Sequence, residues 1–420
     1  MKRLVWVLLL CSGQLYAQDS TLLTLEQVQQ LARDNYPLLR QKPVLDSILR
    51  LQVKNTNSAY LPQAELNGQA TYQSAVTEIP FKVPGVSIPE FAKDQYKATI
   101  DVKQLLYDGG TTREQRELQA VQQQTEQQRI EVELYKVKQQ VTQTYFNALL
   151  AEEYIKAARL NQADIHQRID RLSAGVQQGT VLPSNVNILK AELLRTEQQE
   201  LSAAASREGN LAVLQLLTGY QAPGPVKLAI PSIAAVPETD SLLRPELQLY
   251  RLQSSTLDHQ AKLTATRPMP RVSAFVQGGY GRPGLNMLNN DFASFYMTGI
   301  RLNWTLWNWR YHRKEQDILR LQQKNIDHQS ETFTLNTRTQ LAQQRTDINR
   351  LVQTLEKDDD ILDLRTSVKE SSAVQLDNGV ITVHDYITDL NAVMQARIDQ
   401  STHQVQLALA RINYQLIQGY

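Results

Sequence analysis

The amino-acid sequence predicts an α+β membrane protein in which long antiparallel coiled-coil helices are joined to four short β-strands. Three observations carry that prediction. Four runs alternate apolar and polar residues with the period of a strand. Two long stretches hold no proline and repeat apolar residues at helical spacing. The order strand, strand, long helix also occurs twice at nearly constant spacing, which is how a structural duplication reads.

The chain begins with the pattern of a signal peptide over residues 1–17. Lys2 and Arg3 form a positive start, Val5 to Leu10 a short apolar run, and Leu15-Tyr16-Ala17 a small residue at the cut, so cleavage is expected after Ala17. The only cysteine, Cys11, lies in this segment. A lipid anchor on Cys11 is the weaker reading, because a large Leu10 precedes it and the apolar run is short. Cleavage after Ala17 leaves a mature chain without a thiol, which excludes disulfides, thiolate metal sites and cysteine catalysis. No later stretch approaches the ~20 apolar residues of a spanning helix. A membrane crossing must therefore use strands.

The duplication is legible in paired landmarks. Pro37 answers Pro245, and Pro62 answers Pro270, each pair 208 residues apart. Asp108 answers Asn308, and Gly179 answers Gly379, each pair 200 residues apart. The change falls between the paired strands, where the second copy has the shorter loop. The first repeat is read as 18–220, with strands at about 62–74 and 95–107 and a long helix at about 111–178. The second is read as 221–420, with strands at about 270–281 and 294–307 and a long helix at about 309–378.

Each strand has one apolar and one polar face. In the first, Ala64, Leu66, Ala70 and Tyr72 oppose Gln63, Glu65, Asn67, Gln69, Thr71 and Gln73. In the second, Ala98, Ile100, Val102 and Leu106 oppose Lys97, Thr99, Asp101 and Lys103. In the third, Val272, Ala274, Val276 and Tyr280 oppose Arg271, Ser273 and Gln277. In the fourth, Ile300, Leu302, Trp304 and Leu306 oppose Arg301, Asn303 and Thr305. A soluble sheet with one wet side has this pattern too. Two features favour lipid. The runs have the ~9–11 residues of a tilted membrane strand. Trp304, Trp307 and Trp309, all the tryptophans after the leader, also stand together at the end of the fourth run, as in an interfacial girdle. Four strands cannot close a barrel, and open edges cannot sit in lipid. Several chains must share one barrel. Eight strands leave an interior filled by side chains, so a conducting barrel needs three or more chains.

The helices are too long for a globule. After Asp108-Gly109-Gly110 the chain reads as helix almost to Gly179, on the order of 100 Å at ~1.5 Å per residue. In the second copy Leu341, Ile348, Leu355 and Leu362 fall seven apart, a coiled-coil seam. Each long helix turns at its glycine and returns as a shorter one, at about Ser184 to Leu217 and His384 to Gln418. Shorter helices precede the strand pairs, at about Leu25 to Asn57 and Ser241 to Thr266.

Nothing in the sequence argues for catalysis or a cofactor. The six histidines are scattered, with no zinc-ligand pair and no metal site among them. Gly278-Gly279-Tyr280-Gly281 reads as a turn at a barrel rim, because no helix follows it as a dinucleotide loop requires. Asp358-Asp359-Asp360 reads as a solvated face. A net charge of +1 gives no argument for nucleic acid.

With this module assembled, the chain resembles the TolC family of outer-membrane efflux proteins. The matching pieces are Leu23-Thr24-Leu25-Glu26 with Asn35-Tyr36-Pro37, then Leu61-Pro62-Gln63, Leu105-Leu106-Tyr107-Asp108-Gly109-Gly110 and the turns at Gly179 and Gly379. The resemblance implies a homotrimer with a twelve-stranded barrel in the bacterial outer membrane. It implies a periplasmic α-barrel of helices, closed at its tip, on which a periplasmic adaptor (membrane fusion) protein and an inner-membrane RND or ABC transporter dock. The implied function is a passive exit duct for tripartite efflux or type I secretion, the pump selecting the cargo. Glu65, Lys97, Asp101, Lys103 and Arg301 would line the barrel, and Tyr107, Trp304, Trp307 and Trp309 would stand at the membrane interface. Gln178, Gly179 and Thr180, with Asn378, Gly379 and Val380, would be the tips that meet the adaptor.

The family's acidic constriction follows the second turn. Asp385 falls on its first position. Thr388, the next, is not acidic, although Asp389 adjoins it, and the first copy has Asn185, so the ring is expected to be thinner here. Three Asp385 carboxylates near one axis would attract cations. Asp385 also reads as a helix-start carboxylate favoured by the dipole. The competing class is a non-conducting structural coiled-coil protein of the envelope, which leaves the strands and tryptophans unexplained. A periplasmic enzyme would need a clustered polar pocket, and the sequence offers none.

Overall fold

The computed structural model describes residues 21–76, 92–221, 224–231, 241–287 and 289–420. The leader 1–17, its cut after Ala17 and Cys11 lie outside the described residues. In chain order the elements are β1 (Thr21–Leu23), α1 (Leu25–Asn35), α2 (Gln41–Asn57), β2 (Gln63–Tyr72), β3 (Asp94–Tyr107), α3 (Thr111–Gln177), α4 (Pro183–Thr218), β4 (Val226–Leu228), α5 (Pro245–Thr266), β5 (Arg271–Arg282), β6 (Ala293–Asn303), α6 (Tyr311–Asp377) and α7 (Val383–Gln418). The duplication is exact in the helices: α6 and α7 repeat the bounds of α3 and α4 with an offset of 200. No helix among the described residues is long and apolar enough to cross a membrane.

The chain divides into two compact units. One holds Val132–Arg244 and Leu335–Tyr420 with the residues up to Leu39. The other holds Arg40–Glu131 and Pro245–Thr334. Each unit draws on both sequence repeats.

The second of these is the strand unit. Its sheet has the order β2-β3-β5-β6, every pair antiparallel. The register puts Glu65 opposite Asp101, Asp101 opposite Gln277, and Ser273 opposite Arg301. Directly opposed residues share a face, so the polar positions of all four strands form one continuous surface. The other surface is apolar and exposed. Leu66, Ile100, Val276, Ile300 and Leu302 stand on it with no cover. β2 and β6 are open edges among the described residues.

Several expectations need correction in this unit. The fourth strand ends at Asn303 and not at 307, so Trp304, Leu306 and Trp307 follow it. The long helix then starts at Tyr311 rather than 309, because Trp309 and Arg310 take φ of 54° and 57°. Their counterparts Gly109 and Gly110 have φ of 69° and 89°. The second copy thus keeps a left-handed turn without glycine, a strained choice for residues with a Cβ. Gly278-Gly279-Tyr280-Gly281 is no turn, since β5 runs through it to Arg282. A Cβ at Gly279 would sit 2.5 Å from the Phe295 ring, so the glycine clears a neighbouring aromatic. The helix expected over 25–57 is broken by a 3₁₀ turn at Pro37–Arg40, where proline interrupts the α-helical ladder.

At the strand–helix junction, Asp108 is buried and caps α3. Its carboxylate accepts from Thr112 N at 2.6 Å, Gly110 N at 2.9 Å and Tyr60 Oη at 2.9 Å. Burial alone would raise its pKa, but the hydrogen bonds from Thr112, Tyr60 and Gly110 outweigh it and hold the carboxyl below its ordinary value.

The helical unit has a core built on α3 and α7. Val141, Tyr145, Phe146 and Leu149 meet Val405, Ile412 and Leu416, with Leu25, Val28 and Ala32 of α1 packed in. The stripe of α7 is buried at Leu390, Ile398, Val405, Ile412 and Leu416. Thr24 and Gln27 form a capping box at the start of α1. β1 and β4, unforeseen in the sequence, pair in parallel. The fully buried Tyr145 hydroxyl lies 2.8 Å from Leu23 O and 2.7 Å from Ala229 O, one from each strand segment. Asp358 is not solvated as expected. It is buried against His403, whose Nδ1 lies 2.6 Å from Oδ2. Burial of a carboxylate is tolerable because it gains this partner.

Candidate functional site: the strand wall and the helix tips

The strand wall brings together all five expected lining residues. Glu65, Lys97, Asp101, Lys103 and Arg301 share its polar face. Part of that face is a concavity of about 640 Å³, lined by Glu65, Asp101, Lys103, Gln277 and Arg301 with Phe275 and Met297. Asp101 is tied down by neutral donors: Asn67 Nδ2 at 2.7 Å, Thr99 Oγ1 at 2.9 Å and Gln277 Nε2. Sequence alternation missed the apolar members of this face. Phe275, Phe295 and Met297 lie on it in register with Lys103, Thr99 and Asp101.

The exposed aromatics of the strand unit stand in two belts rather than one. Near the helices stand Tyr107, Trp304, Trp307 and Trp309, all exposed, the last two edge to face at 6.0 Å. Tyr107 reaches the apolar face only through a β-bulge. Simple alternation would put it with Lys103, but the register shift between Leu105 and Tyr107 sets it opposite Val272. The far belt is Tyr72, Tyr96, Tyr280 and Tyr296, with Phe292 stacked on Tyr280 at 5.5 Å and on Tyr96 at 6.2 Å. These residues are scattered in sequence, and only the pairing register collects them. Trp304 follows Tyr296 by eight positions, just past the end of β6. That is roughly 27 Å along an extended chain, close to the ~25 Å apolar band of a membrane barrel.

In the helical unit the two tips are copies in hydrogen bonding. Thr180 N donates to Gly175 O at 2.9 Å, and Val380 N to Gln375 O at 2.9 Å. Gly179 N donates to Val176 O, and Gly379 N to Leu376 O. This is a Schellman closure with a left-handed glycine in each. Gln178, Gly179, Thr180, Asn378, Gly379 and Val380 are all exposed.

The helices that leave the tips start differently. α7 starts with a capping box: Asp385 Oδ2 accepts from Thr382 N at 2.9 Å and Thr382 Oγ1 at 2.7 Å, and Thr382 Oγ1 accepts from Asp385 N. These bonds from Thr382 hold the Asp385 carboxyl below its ordinary range. α4 has Leu182 as its cap, without a side-chain acceptor, and Pro183 at its first position. Asn185, the counterpart of Asp385, is half-buried there. Thr388 is exposed and bonds back to His384 O at 3.0 Å. Asp389 accepts from Ser372 Oγ of α6 and is half-buried. Of the four expected constriction residues, Asp385 therefore presents an exposed carboxylate, while Asp389 is engaged between helices.

One cluster near the tips had no sequence signal. Arg168 of α3 is buried, pairs with Asp377 of α6 and lies over the Tyr386 ring of α7. Lys369 of α6 adds an ion pair to Asp164 of α3 at 3.0 Å, and Asn391 Nδ2 of α7 donates to Glu192 of α4 at 2.9 Å. The groups involved lie some 200 residues apart, beyond any local pattern.

Comparison with known proteins agrees with this geometry. Residues 28–220 match the family model described as outer membrane efflux protein. No curated protein matches. Among solved structures, the channel protein CusC aligns with a TM-score of 0.72 and 13% identity over 94% of this chain and 92% of its own. VceC of Vibrio cholerae gives 0.67 and 13% over 93% and 95%. The CmeC outer membrane channel of Campylobacter jejuni gives 0.65 and 14% over 94% and 85%. Residues 28–220 are thus similar to the outer membrane efflux protein family, and over nearly its whole length the chain has the fold of these solved channel structures.

Proposed function

We propose that the protein is a passive exit duct through the bacterial outer membrane and the periplasm, serving a tripartite efflux or type I secretion system. One observation carries the reading: among the described residues, a four-stranded sheet with two open edges has a bare apolar face flanked by two aromatic belts. Open edges are untenable in lipid. Further copies close them, and three copies give twelve strands, enough for a passage where eight would be filled. Exposed leucines on α4 and α6, such as Leu201, Leu216, Leu335 and Leu364, supply apolar surface for the same association.

On this reading the polar strand face lines the barrel, and the exposed tips at Gly179 and Gly379 receive a periplasmic adaptor linked to an inner-membrane RND or ABC pump. Asp385 supplies the charge of a constriction, with Thr388, Asp389 and Asn185 around it. Export energy comes from the pump.

Purified full-length protein tests this in planar bilayers and by mass measurement in detergent. A trimer that conducts is expected. A monomer in detergent, or a trimer without conductance, would leave the structural coiled-coil reading in its place.

A further inference from the structure

The polar face of the strand wall carries a repeated arrangement that lining a passage does not require. Phe275 of β5 lies opposite Gly299 of β6, and Phe295 of β6 lies opposite Gly279 of β5. The two pairs are related by the local twofold of the antiparallel ladder, with Gln277 and Met297 between them. In each pair the ring leans across the glycine. A Cβ at Gly299 would lie 3.0 Å from the Phe275 ring, and one at Gly279 would lie 2.5 Å from the Phe295 ring. Each ring is also capped by a cation. Arg301 lies 5.0 Å from the Phe275 centroid, and Lys97 lies 5.2 Å from that of Phe295.

The charges on this face are unequal. Lys97, Lys103, Arg271 and Arg301 are exposed, and among the described residues none of them makes an ion pair. Glu65 and Asp101 are the acids of the same face, and Asp101 is already held by Asn67, Thr99 and Gln277. A guanidinium over a ring face gains the cation–π attraction there and still has N–H donors for a further partner. Beside Arg301 and Phe275 lies the concavity that also holds Lys103 and Met297. Cationic edges next to apolar surface match a solute with an anionic group on an aromatic body.

We propose that this face binds aromatic organic anions, with Arg301 and Lys103 holding the anionic group and Phe275 and Met297 the ring, and that Phe295 with Lys97 forms a second, similar contact. The proposal rests on the duct reading for its role, which is to hold cargo on its way out.

The test uses the purified full-length protein in planar bilayers in dilute potassium chloride. The probes are 1-naphthalenesulfonate, 1-naphthylmethylammonium, which has the ring with a positive charge, and methanesulfonate, which has the anion without a ring. Naphthalenesulfonate should reduce the current at concentrations where the other two do not. Arg301→Gln should raise its half-blocking concentration about tenfold, the size of one lost charge-assisted hydrogen bond. Phe275→Leu, which keeps apolar volume over Gly299, should raise it severalfold. Equal block by the ammonium probe, or block unchanged by both substitutions, would overturn the site and leave glycines that merely let the rings lie flat. Equilibrium dialysis with detergent-solubilised protein separates the two readings. Saturable naphthalenesulfonate binding that Arg301→Gln removes, without conductance, would retain the site and discard the duct. No saturable binding would discard the site.

Discussion

The guanidinium of Arg168 lies 4.7 Å from the centroid of the Tyr386 ring while it pairs with Asp377. Three helices of the helical unit, α3, α6 and α7, meet at this one side chain. The exposures are unequal: the Arg168 side chain is 6% exposed and that of Asp377 is 39%. Removing one partner should therefore not cost the same as removing the other. Asp377→Asn leaves a buried cation without its counter-charge, a loss of about 1–3 kcal/mol once partial solvent access to the carboxylate is allowed for. Arg168→Gln leaves a carboxylate that water reaches and that Arg171 approaches at 3.5 Å, so the electrostatic part of its cost is smaller. Hydrogen exchange over residues 165–172 and 383–390 reads the difference. Faster opening in Asp377→Asn than in Arg168→Gln is expected, and the opposite order would mean that ring stacking outweighs the ion pair.

Thr382 and Asp385 can be separated by paired substitutions and by pH. The folded carboxyl of Asp385 lies below its ordinary value of 3.8, through its hydrogen bonds with Thr382. A depressed folded value stabilises the start of α7 above 3.8, and that contribution is lost as the pH falls through the lower, folded value. Protection factors in the first turn of α7 should decline in that acid window. The start of α4, capped by Leu182 without a side-chain bond, should show no matching step. Thr382→Ala removes the cap, at about 1 kcal/mol, and keeps the charge. Asp385→Asn removes the charge. If Asp385 forms the constriction, only the second should weaken block by multivalent cations, and equal block in both variants would place the constriction elsewhere.

Much of this fold is legible in the sequence because its periodicities are local. Period two gives β2, β3, β5 and β6, and the glycines at 179 and 379 give the helical hairpins, since a left-handed closure needs them. The polar face follows from the same alternation, so Glu65, Lys97, Asp101, Lys103 and Arg301 come together as expected. What escapes is what depends on register or on distant partners. The far belt of Tyr72, Tyr96, Tyr280 and Tyr296 needs strand pairing to exist. Tyr107 needs a bulge to change face. Phe275 and Phe295 break the alternation, and their fit becomes visible only with Gly299 and Gly279 opposite them. Asp358 reads as solvated in an acidic run because His403, its partner, is 45 residues away.

The strand–helix junctions permit a test of strain against crowding. Gly109 and Gly110 both have positive φ. A Cβ at Gly109 would lie 2.3 Å from the Met269 Cβ, whereas one at Gly110 meets nothing within 4 Å. Gly110→Ala should cost only the left-handed strain, about 1–2 kcal/mol. Gly109→Ala should cost that amount and an overpacking penalty of about 1–3 kcal/mol more. The readout is the denaturant midpoint of the purified protein, in which Gly109→Ala should fall below Gly110→Ala. Equal midpoints would mean that Met269 yields without cost. The second copy shows that side chains can be borne here, since Trp309 and Arg310 occupy the same two positions.

Ile300 gives the sharpest test of lipid against water on the apolar face. It stands 72% exposed, four positions from Tyr296 on the same face and four from Trp304 just past the strand end. If the two aromatic belts mark the membrane interfaces, Ile300 lies at mid-depth. An arginine there should cost about 2–4 kcal/mol, and arginines at 296 and 304 only about 0–1 kcal/mol from charge placement. A sheet with a wet face has no depth axis, so all three substitutions would be mild and alike. Arg301, one residue on, points to the opposite face, so Arg301→Ile should not restore an Ile300→Arg variant even though the composition of β6 is unchanged. Vesicle insertion across a denaturant series measures each cost, as the fraction of protein in a heat-resistant, membrane-inserted form. A profile peaking at 300 fixes both the face and the depth. A flat profile would return the apolar face to water, and with it the need for shared barrel closure.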